Sequence, residues 1–316
     1  MIDAIVSVIA QGRSFLVASH GNPDGDALAS TLALSIALRE MGKEVVAYNR
    51  DGMSAEMAFL PEAASVIDRL DEGRSFDVGF VLDSGELNRA GTFLRNRCTT
   101  LVNVDHHPKS EDFGDIYYVD EKCCASGALI YRILQATGHA VSLPVATCIY
   151  AAILADTGSF RYANADQEAF RIASEMLALG VCSWEVSSSM YENHPECQLR
   201  LLAAALKTLK VSDCGRLGSI CVTQQMFLDT GTGSEHTDGL VNYPRSIGGV
   251  LVALLFREVT ERCFKVSFRS KGAINVGELA RQLGGGGHHN AAGTTLEGDL
   301  ETIQETVLSR LQDFLP

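Results

Sequence analysis

No apolar run in the 316 residues approaches the ~18–20 that a membrane-spanning helix needs. The opening stretch, MIDAIVSVIAQGRSFLVASH, has neither a basic n-region nor a small-residue cleavage site, so no secretory signal is expected and a cytoplasmic location is. No Cys-x-x-Cys pair occurs among the nine cysteines, although Cys123 and Cys124 are neighbours. That spacing excludes the usual structural zinc sites and predicts buried thiols in a reducing compartment. Positive charge is also scarce: 26 lysines and arginines face 39 acidic residues, for a net charge of −13. A protein that grips long duplex needs a basic face to displace counterions, so tight binding to long DNA or RNA is not expected. Small anionic substrates remain compatible, since metals and a few local cations can hold them. Neither an internal repeat nor a low-complexity tract is present.

Hydrophobic residues make up 46 % and charged residues 21 %, an ordinary globular balance, and the length suits two domains. Residues 1–185 alternate strand-like and helix-like segments, the pattern of an α/β domain with a mostly parallel sheet. Strands are expected at 14–19, 44–49, 76–82 and 98–104. Helices are expected at 27–41 (stopped by Gly42), from a Ser126 cap to Gly138, at 143–155 and from about 165 to Gly180. Residues 186–212 read as an amphipathic helical linker. Residues 213–316 form a smaller α/β domain, with strands near 217–223, 249–257 and 263–269. A helix near 276–283, a run of four glycines and a last helix from about 299 complete it. GTGSEHTDG at 231–239 reads as a turn or loop.

Acidic and imidazole groups collect where predicted elements end. His20 closes the first strand and leads into Asn-Pro-Asp24-Gly-Asp26. Asp83 follows another strand, Asp105-His106-His107 a third, and Asp156 the end of a helix. In open α/β sheets, ligands bind outside the carboxyl ends of the strands. A lone aspartate there is usually a cap or turn former. Three titratable groups directly after a buried strand, however, need partners or a ligand. Crowded carboxylates at 24, 26, 83 and 156 raise one another's proton affinity and oppose folding. Two divalent cations neutralise four such charges, and His20 and His106 add nitrogen donors. That mixed set suits Mn2+ better than Mg2+. Two close metals can share a hydroxide and hold both ends of a displacement at phosphorus.

These segments resemble the motifs of the DHH phosphoesterase superfamily, which includes RecJ exonucleases and bacterial nanoRNases. HGNPDGDA, VLDSGELNRAG, VDHHPKS and ILADTGSFRY match its four motifs in order and spacing. The resemblance implies that His20, Asp24 and Asp83 hold one metal. It implies that Asp26, Asp83, His106 and Asp156 hold the other, with Asp83 bridging. His107 then faces the substrate phosphate as donor or general acid, Asp105 orients an imidazole, and Arg89 supports the substrate. Downstream, VSFRSKGAINVGELARQLGGGGHHNAAG is similar to the DHHA1 substrate-binding motif. Arg269 offers a planar fork for phosphate, Ser270 adjoins it, and Gly285, Gly286 and Gly287 let backbone amides approach an anion. His288 is a further donor, and His289 carries no assigned role.

One DHH domain, a linker helix and one DHHA1 domain resemble the nanoRNase and pAp-phosphatase branch. A RecJ exonuclease carries an additional nucleic-acid-binding domain. Family II pyrophosphatases have a different second domain. The implied function is hydrolysis of RNA of 2–5 nucleotides, of 3′,5′-nucleoside bisphosphate, or of both. The alternative is a soluble cyclic-di-AMP or pApA phosphodiesterase. A non-catalytic nucleotide sensor or RNA-binding module is a reading of another class, disfavoured because all six ligands are present. The implied partner is a short nucleotide, with no long duplex and no membrane. A homodimer is left open.

Overall fold

The computed structural model describes residues 1–108, 110–287, 289–311, 314 and 315. Two compact units divide the chain, Met1–Asn193 and His194–Pro316. In the first, α1 (Ile2–Gln11) precedes β1 (Ser14–Ser19), α2 (Gly25–Glu40), β2 (Glu44–Tyr48), β3 (Val66–Ile67) and β4 (Phe76–Leu82). The short α3 (Leu87–Ala90), β5 (Cys98–Asp105), β6 (Ile116–Val119) and four helices follow: α4 (Ser126–Thr137), α5 (Leu143–Asp156), α6 (Gln167–Ala178) and α7 (Ser183–Tyr191). The six strands pair in parallel in the order β3-β2-β1-β4-β5-β6. The connections run one way from β1 to β2 and the other way from β4 to β5. The gap between the carboxyl ends of β1 and β4 is therefore the switch point where such sheets bind ligands.

Strands covered on both faces need apolar residues at consecutive positions. Phe15 and Val17 of β1 face the layer of α1, α2, α4, α5 and α6, while Leu16 and Ala18 face α3 and the turn after it. Helix α2 is enclosed on all sides, and every residue from Asp26 to Leu38 is buried. That enclosure makes it apolar nearly all round and fixes Asp26 where water cannot reach it.

The second unit comprises α8 (Glu196–Leu206), β7 (Lys210–Val211), β8 (Leu217–Val222), α9 (Gln224–Thr230), α10 (Asn242–Ser246), β9 (Val252–Thr260), β10 (Cys263–Ser270), α11 (Val276–Gln282), β11 (Gly286–Gly287), β12 (Ala291–Glu297) and α12 (Leu300–Leu311). Its sheet runs β11-β12-β10-β9-β8-β7, with β8 and β9 parallel and the other pairs antiparallel. Helices α11 and α12 pack one face through Val276, Leu279, Ile303 and Val307; α8 and α9 pack the other through Leu201, Ala205 and Phe227.

Several expectations from the sequence differ from this structure. The stretch 186–212 is two helices, broken at Asn193 to Pro195; α7 packs in the first unit and α8 in the second. Pro195 disfavours helical backbone at the residue before it, which separates them. Ser126 does not cap α4 with its side chain but is the first helical residue, behind Ala125. The strand expected at 249–257 begins at Val252, because Gly249 turns the chain with φ +83°. The loop 231–239 contains a short 3-10 turn, Ser234–Thr237. All nine cysteines are free, as expected, yet only Cys123, Cys124, Cys148 and Cys221 are buried; Cys182 and Cys214 are exposed. No helix among the described residues is long and apolar enough to cross a membrane.

Candidate metal centre

His20 leaves β1 at the switch point, and Asp83 leaves β4 beside it. The β4–β5 ladder continues one residue past β4, with Asp83 N donating to Val104 O at 3.0 Å. At that residue φ is +55°, a left-handed backbone that aspartate tolerates better than most residues. The kink turns the carboxylate into the crevice. Its Oδ2 lies 3.6 Å from His20 Nε2, and its Oδ1 lies 3.3 Å from His106 Nε2. One carboxylate therefore presents a different oxygen to each of two imidazoles.

Both imidazoles have the same orientation device. His20 Nδ1 lies 2.9 Å from Gly21 O, and His106 Nδ1 lies 3.1 Å from Cys123 O. A carbonyl only accepts, so Nδ1 carries the proton in each ring. Nε2 is left as the acceptor pointing into the carboxylates, the tautomer a metal ligand needs. His107 is held differently, with its Nδ1 2.6 Å from Asp105 Oδ1.

Asp24 and Asp26 open α2. Asp24 is the N-cap, accepting from Ala27 N at 3.0 Å, and stays exposed. Asp26 is buried and accepts from Ser30 Oγ at 2.7 Å, Ser126 N at 2.6 Å and Gly127 N at 3.0 Å. A carboxylate from α2 thus satisfies the first amides of α4, where negative charge is favoured. That frees the Ser126 hydroxyl, which donates to Asp83 Oδ1 at 3.0 Å. Asp156 ends α5, and Asn164 Nδ2 donates to its Oδ2 at 3.2 Å and to Cys124 O at 3.0 Å.

The resulting donor sets are compact. His20, Asp24 and Asp83 form one, Asp26, His106 and Asp156 a second, and Asp83, His106 and His107 a third; within each, ligand atoms lie within 4.8 Å of one another. Burial alone pushes Asp26 upward in proton affinity, reinforced by the Asp83 charge. Burial likewise raises Asp156, with the Asp24 and Asp83 charges, to about 7. Burial also opposes ionisation of Asp83, but the facing His106 and His20 outweigh it and hold this carboxyl well below its ordinary range. Burial disfavours charge on the two imidazoles too, yet the surrounding carboxylates hold His20 above its usual value and His106 well above it. Among the described residues no lysine or arginine pairs with Asp24, Asp26, Asp83 or Asp156. The site therefore concentrates negative charge around two imidazoles, and the donor set fits divalent cations.

Arg89 sits in α3 with an exposed side chain, and its carbonyl accepts Gly21 N at 2.7 Å. In the second unit Arg269 lies on β10, partly exposed, with Nη1 donating to Phe268 O at 3.0 Å. Ser270 beside it is buried. Its hydroxyl donates to Ile274 O at 2.6 Å and accepts from Asn290 Nδ2 at 2.8 Å, which fixes the loop between β10 and α11. The glycine run divides. A Cβ at Gly285 would stand 2.1 Å from Gly293 O, and one at Gly287, where φ is +138°, 2.5 Å from Ala292 Cα. Close pairing with β12 thus requires glycine at these two positions, whereas Gly286 faces open space. His288 lies outside the described residues.

Residues 14–153 match the DHH family, N-terminal domain, and residues 218–314 match the DHHA1 domain. A Thermus thermophilus protein named bifunctional oligoribonuclease and PAP phosphatase NrnA is 33 % identical over 304 residues, covering 95 % of this chain and 89 % of its own. The chain belongs to the DHH phosphoesterase family. It is a metal-dependent hydrolase of phosphate ester bonds. An exopolyphosphatase-related protein from Bacteroides fragilis has the same fold, with TM-score 0.94, 27 % identity and coverage of 99 % of this chain and 96 % of that one. RecJ from Thermus thermophilus, crystallised with Mn2+, is more distant: TM-score 0.53 and 17 % identity, covering all of this chain and 54 % of that one. The donors His20 to His106 all fall inside the DHH match, and Asp156 lies just past its end. Four residues of the first unit that fix the donors were not assigned to the site from the sequence: Ser126, read there only as a helix cap, Asn164, and Asn49 with Asp51. Asn49 Nδ2 donates to Ser19 Oγ at 3.0 Å and to His20 O at 2.9 Å, and Asp51 Oδ2 accepts Asn22 N at 2.5 Å. The turn-forming pattern Asn-Arg-Asp-Gly after β2 was the available signal for the last two.

Proposed function

We propose that this phosphoesterase hydrolyses RNA of 2–5 nucleotides and adenosine 3′,5′-bisphosphate, using two divalent cations, in the cytoplasm. The observation that carries the reading is Asp83, whose two oxygens address the two imidazoles separately. His20, Asp24 and Asp83 would hold one cation; Asp26, Asp83, His106 and Asp156 would hold the other. Nε2 nitrogens mixed with carboxylate oxygens favour Mn2+. Divalent cations bound there neutralise the carboxylates, acidify water and polarise a phosphoryl group.

The chain's own residues orient and protonate. Asp105 accepts a hydrogen bond from the Nδ1–H of His107, which fixes the ring and directs Nε2 to the substrate as donor or general acid. Arg89 supports a phosphate at the rim. In the second unit, Arg269 and the amide of Gly286 hold a part of the nucleotide remote from the scissile bond, and Gly285 and Gly287 shape that strand. Ser270 supports Arg269 through its loop contacts. The NrnA relative's name and the −13 net charge both favour short substrates over long duplex.

The test is kcat/KM with Mn2+ across labelled 2- to 5-mers, adenosine 3′,5′-bisphosphate, pApA and cyclic dinucleotides. Short RNA and the bisphosphate should be the best substrates; cyclic dinucleotides outrunning both would replace the reading. Arg269→Ala should impair di- and trinucleotides far more than a nitrophenyl phosphodiester, because remote contacts orient only a substrate long enough to make them. Equal rates for wild type and variant on all substrates would remove Arg269 from the site.

A further inference from the structure

We propose that Asn103 and Ser110 are positioning residues for His107, acting through Asp105 as a chain of hydrogen bonds behind the imidazole. The inference rests on the function proposed above, in which His107 donates a proton, and names what keeps that donor in place.

β5 supplies two members of the chain. Asn103 and Asp105 stand two residues apart on this strand, so both side chains leave the same face of the sheet. Leu101, two residues earlier, packs with Ala90 and Leu94 on that face. Asn103 and Asp105 are both 0 % exposed. A buried amide and a buried carboxylate at successive inward positions of an apolar face are costly unless partners use them.

Ser110 joins the two. Asn103 Nδ2 donates to Ser110 Oγ at 3.3 Å. The next strand fixes the backbone of the same serine: Tyr117, level with Asn103 across the β5–β6 ladder, donates its hydroxyl to Ser110 O at 2.8 Å. From the other side the turn after β4 closes in, with Glu111 N donating to Gly85 O at 2.7 Å. A Cβ on Gly85 would stand 3.8 Å from Asp105 Oδ2, 3.9 Å from Ser110 Cα and 3.6 Å from His107 Cβ. The serine, the carboxylate and the imidazole therefore gather around one glycine.

The remaining polar atoms set the direction of the chain. Asp105 Oδ1 accepts from His107 Nδ1 at 2.6 Å. Asp105 Oδ2 and Asn103 Oδ1 are buried and accept no hydrogen bond among the described residues. The Ser110 hydroxyl, having accepted from Asn103, still has its own hydrogen to give. Asn103 already faces that hydroxyl with Nδ2, and the carboxylate is the charged and stronger acceptor of the two. The hydrogen is thus assigned to Asp105 Oδ2. Burial opposes a charge on Asp105, but the His107 contacts, and after them the Ser110 hydroxyl, hold the carboxyl below its ordinary range. A carboxylate held at both oxygens cannot rotate, and the imidazole it orients keeps Nε2 aimed at the leaving group.

The test changes the leaving group, which separates a misaligned proton donor from general damage. With Mn2+ present, pApA expels a ribose hydroxyl, which needs a proton; the p-nitrophenyl ester of adenosine 5′-monophosphate expels nitrophenolate, which does not. Ser110→Ala should lower kcat for pApA by roughly 10-fold, a part of the ~10²–10⁴-fold that a general acid supplies, and leave the nitrophenyl ester within about 2-fold. KM and Mn2+ stoichiometry should not change. Asn103→Leu should show the same selectivity, and Ser110→Thr, which keeps the hydroxyl, should restore the rate on pApA. Equal losses on both esters, or no loss on either in Ser110→Ala, overturn the proposal. His107→Gln tests the reading underneath. If its loss is no greater on pApA than on the nitrophenyl ester, His107 is not the proton donor and the chain behind it fails too. If its loss is selective and that of Ser110→Ala is not, only the positioning role fails.

Discussion

Asp24 and Asp26 sit two residues apart at the start of one helix, and each serves a different donor set. Asp24 is exposed and held by a single amide, that of Ala27. Asp26 is buried and receives three donors, two of them from a helix a hundred residues further on. The set around Asp26 also contains His106, fixed by Cys123 O, and Asp156, fixed by Asn164. The inner set is therefore organised by the fold, at the cost of burying unlike and like charges together. The outer set reaches solvent through Asp24 and is cheaper to assemble. The contrast predicts an inner position that fills first and an outer one that exchanges more readily.

Asp83 is common to both sets, so its removal should have the largest effect. Asp83→Ala is expected to lower hydrolysis by more than about 10³-fold, a loss typical of removing a central electrostatic group. Calorimetric titration with Mn2+ should find weakened binding at both positions. Two equivalents bound with wild-type turnover would dismantle the shared-ligand scheme.

The second prediction concerns the inner set without metal. Asp156 is raised to about 7 by burial, so the sign runs against stability at high pH. Its favourable contribution is complete below the unfolded value, near 4, and disappears as pH rises through about 7. Asp156→Asn should stabilise the metal-free protein at pH 8 and do little at pH 4. The side chain is 28 % exposed, so water screens part of the effect, and on the order of 1–2 kcal/mol is expected. Thermal unfolding in EDTA reads this directly; a lower Tm for the variant at pH 8 would contradict it. Mn2+ should then raise the wild-type Tm more than the variant's, reversing the order.

The smallest effect belongs to the outer set. Asp24→Ala removes an N-cap and should cost about 1 kcal/mol of stability. Because the other donors remain, it should weaken Mn2+ binding at one position only, seen as loss of one equivalent at limiting metal. Loss of both equivalents would mean that the two sets are not organised independently.

His20, Asp83, His106 and Asp156 were legible in the sequence because each closes, or stands just past, a run whose pattern is local. SFLVAS before His20 and LVNV before Asp105 are continuous apolar strands, and a strand that ends in a polar titratable group marks its own boundary. The residues that hold the donors were not legible in the same way. Ser126 reads as a helix cap from its neighbours, and it is the carboxylate of Asp26 that takes over that duty. Asn164 acts on Asp156 and on Cys124, a pairing that only the packed chain reveals. The break between α7 and α8 was available from His194-Pro195 but was masked by the apolar periodicity on either side. β11 and β12 were missed because Gly286-Gly287 carries no side chains to show a pattern, and AAGTTLE has only Thr294 and Thr295 as β-branched residues, no aromatic, and small residues ahead of them.

The bonds from Asp26 to Ser126 N and Gly127 N also set a schedule for synthesis. A nascent chain ending before residue 126 has made His20, Asp24, Asp26, Asp83 and His106, yet the amides that fix Asp26 have not been translated. The contact spans 100 residues, and closing so large a loop is slow compared with forming any single helix. Asp156 arrives later still. The ribosome thus releases the acidic cluster in pieces, and the inner donor set becomes complete only once α5 docks beside α2. A partly made chain offers metal ions scattered carboxylates, and the competent constellation is a property of the finished domain.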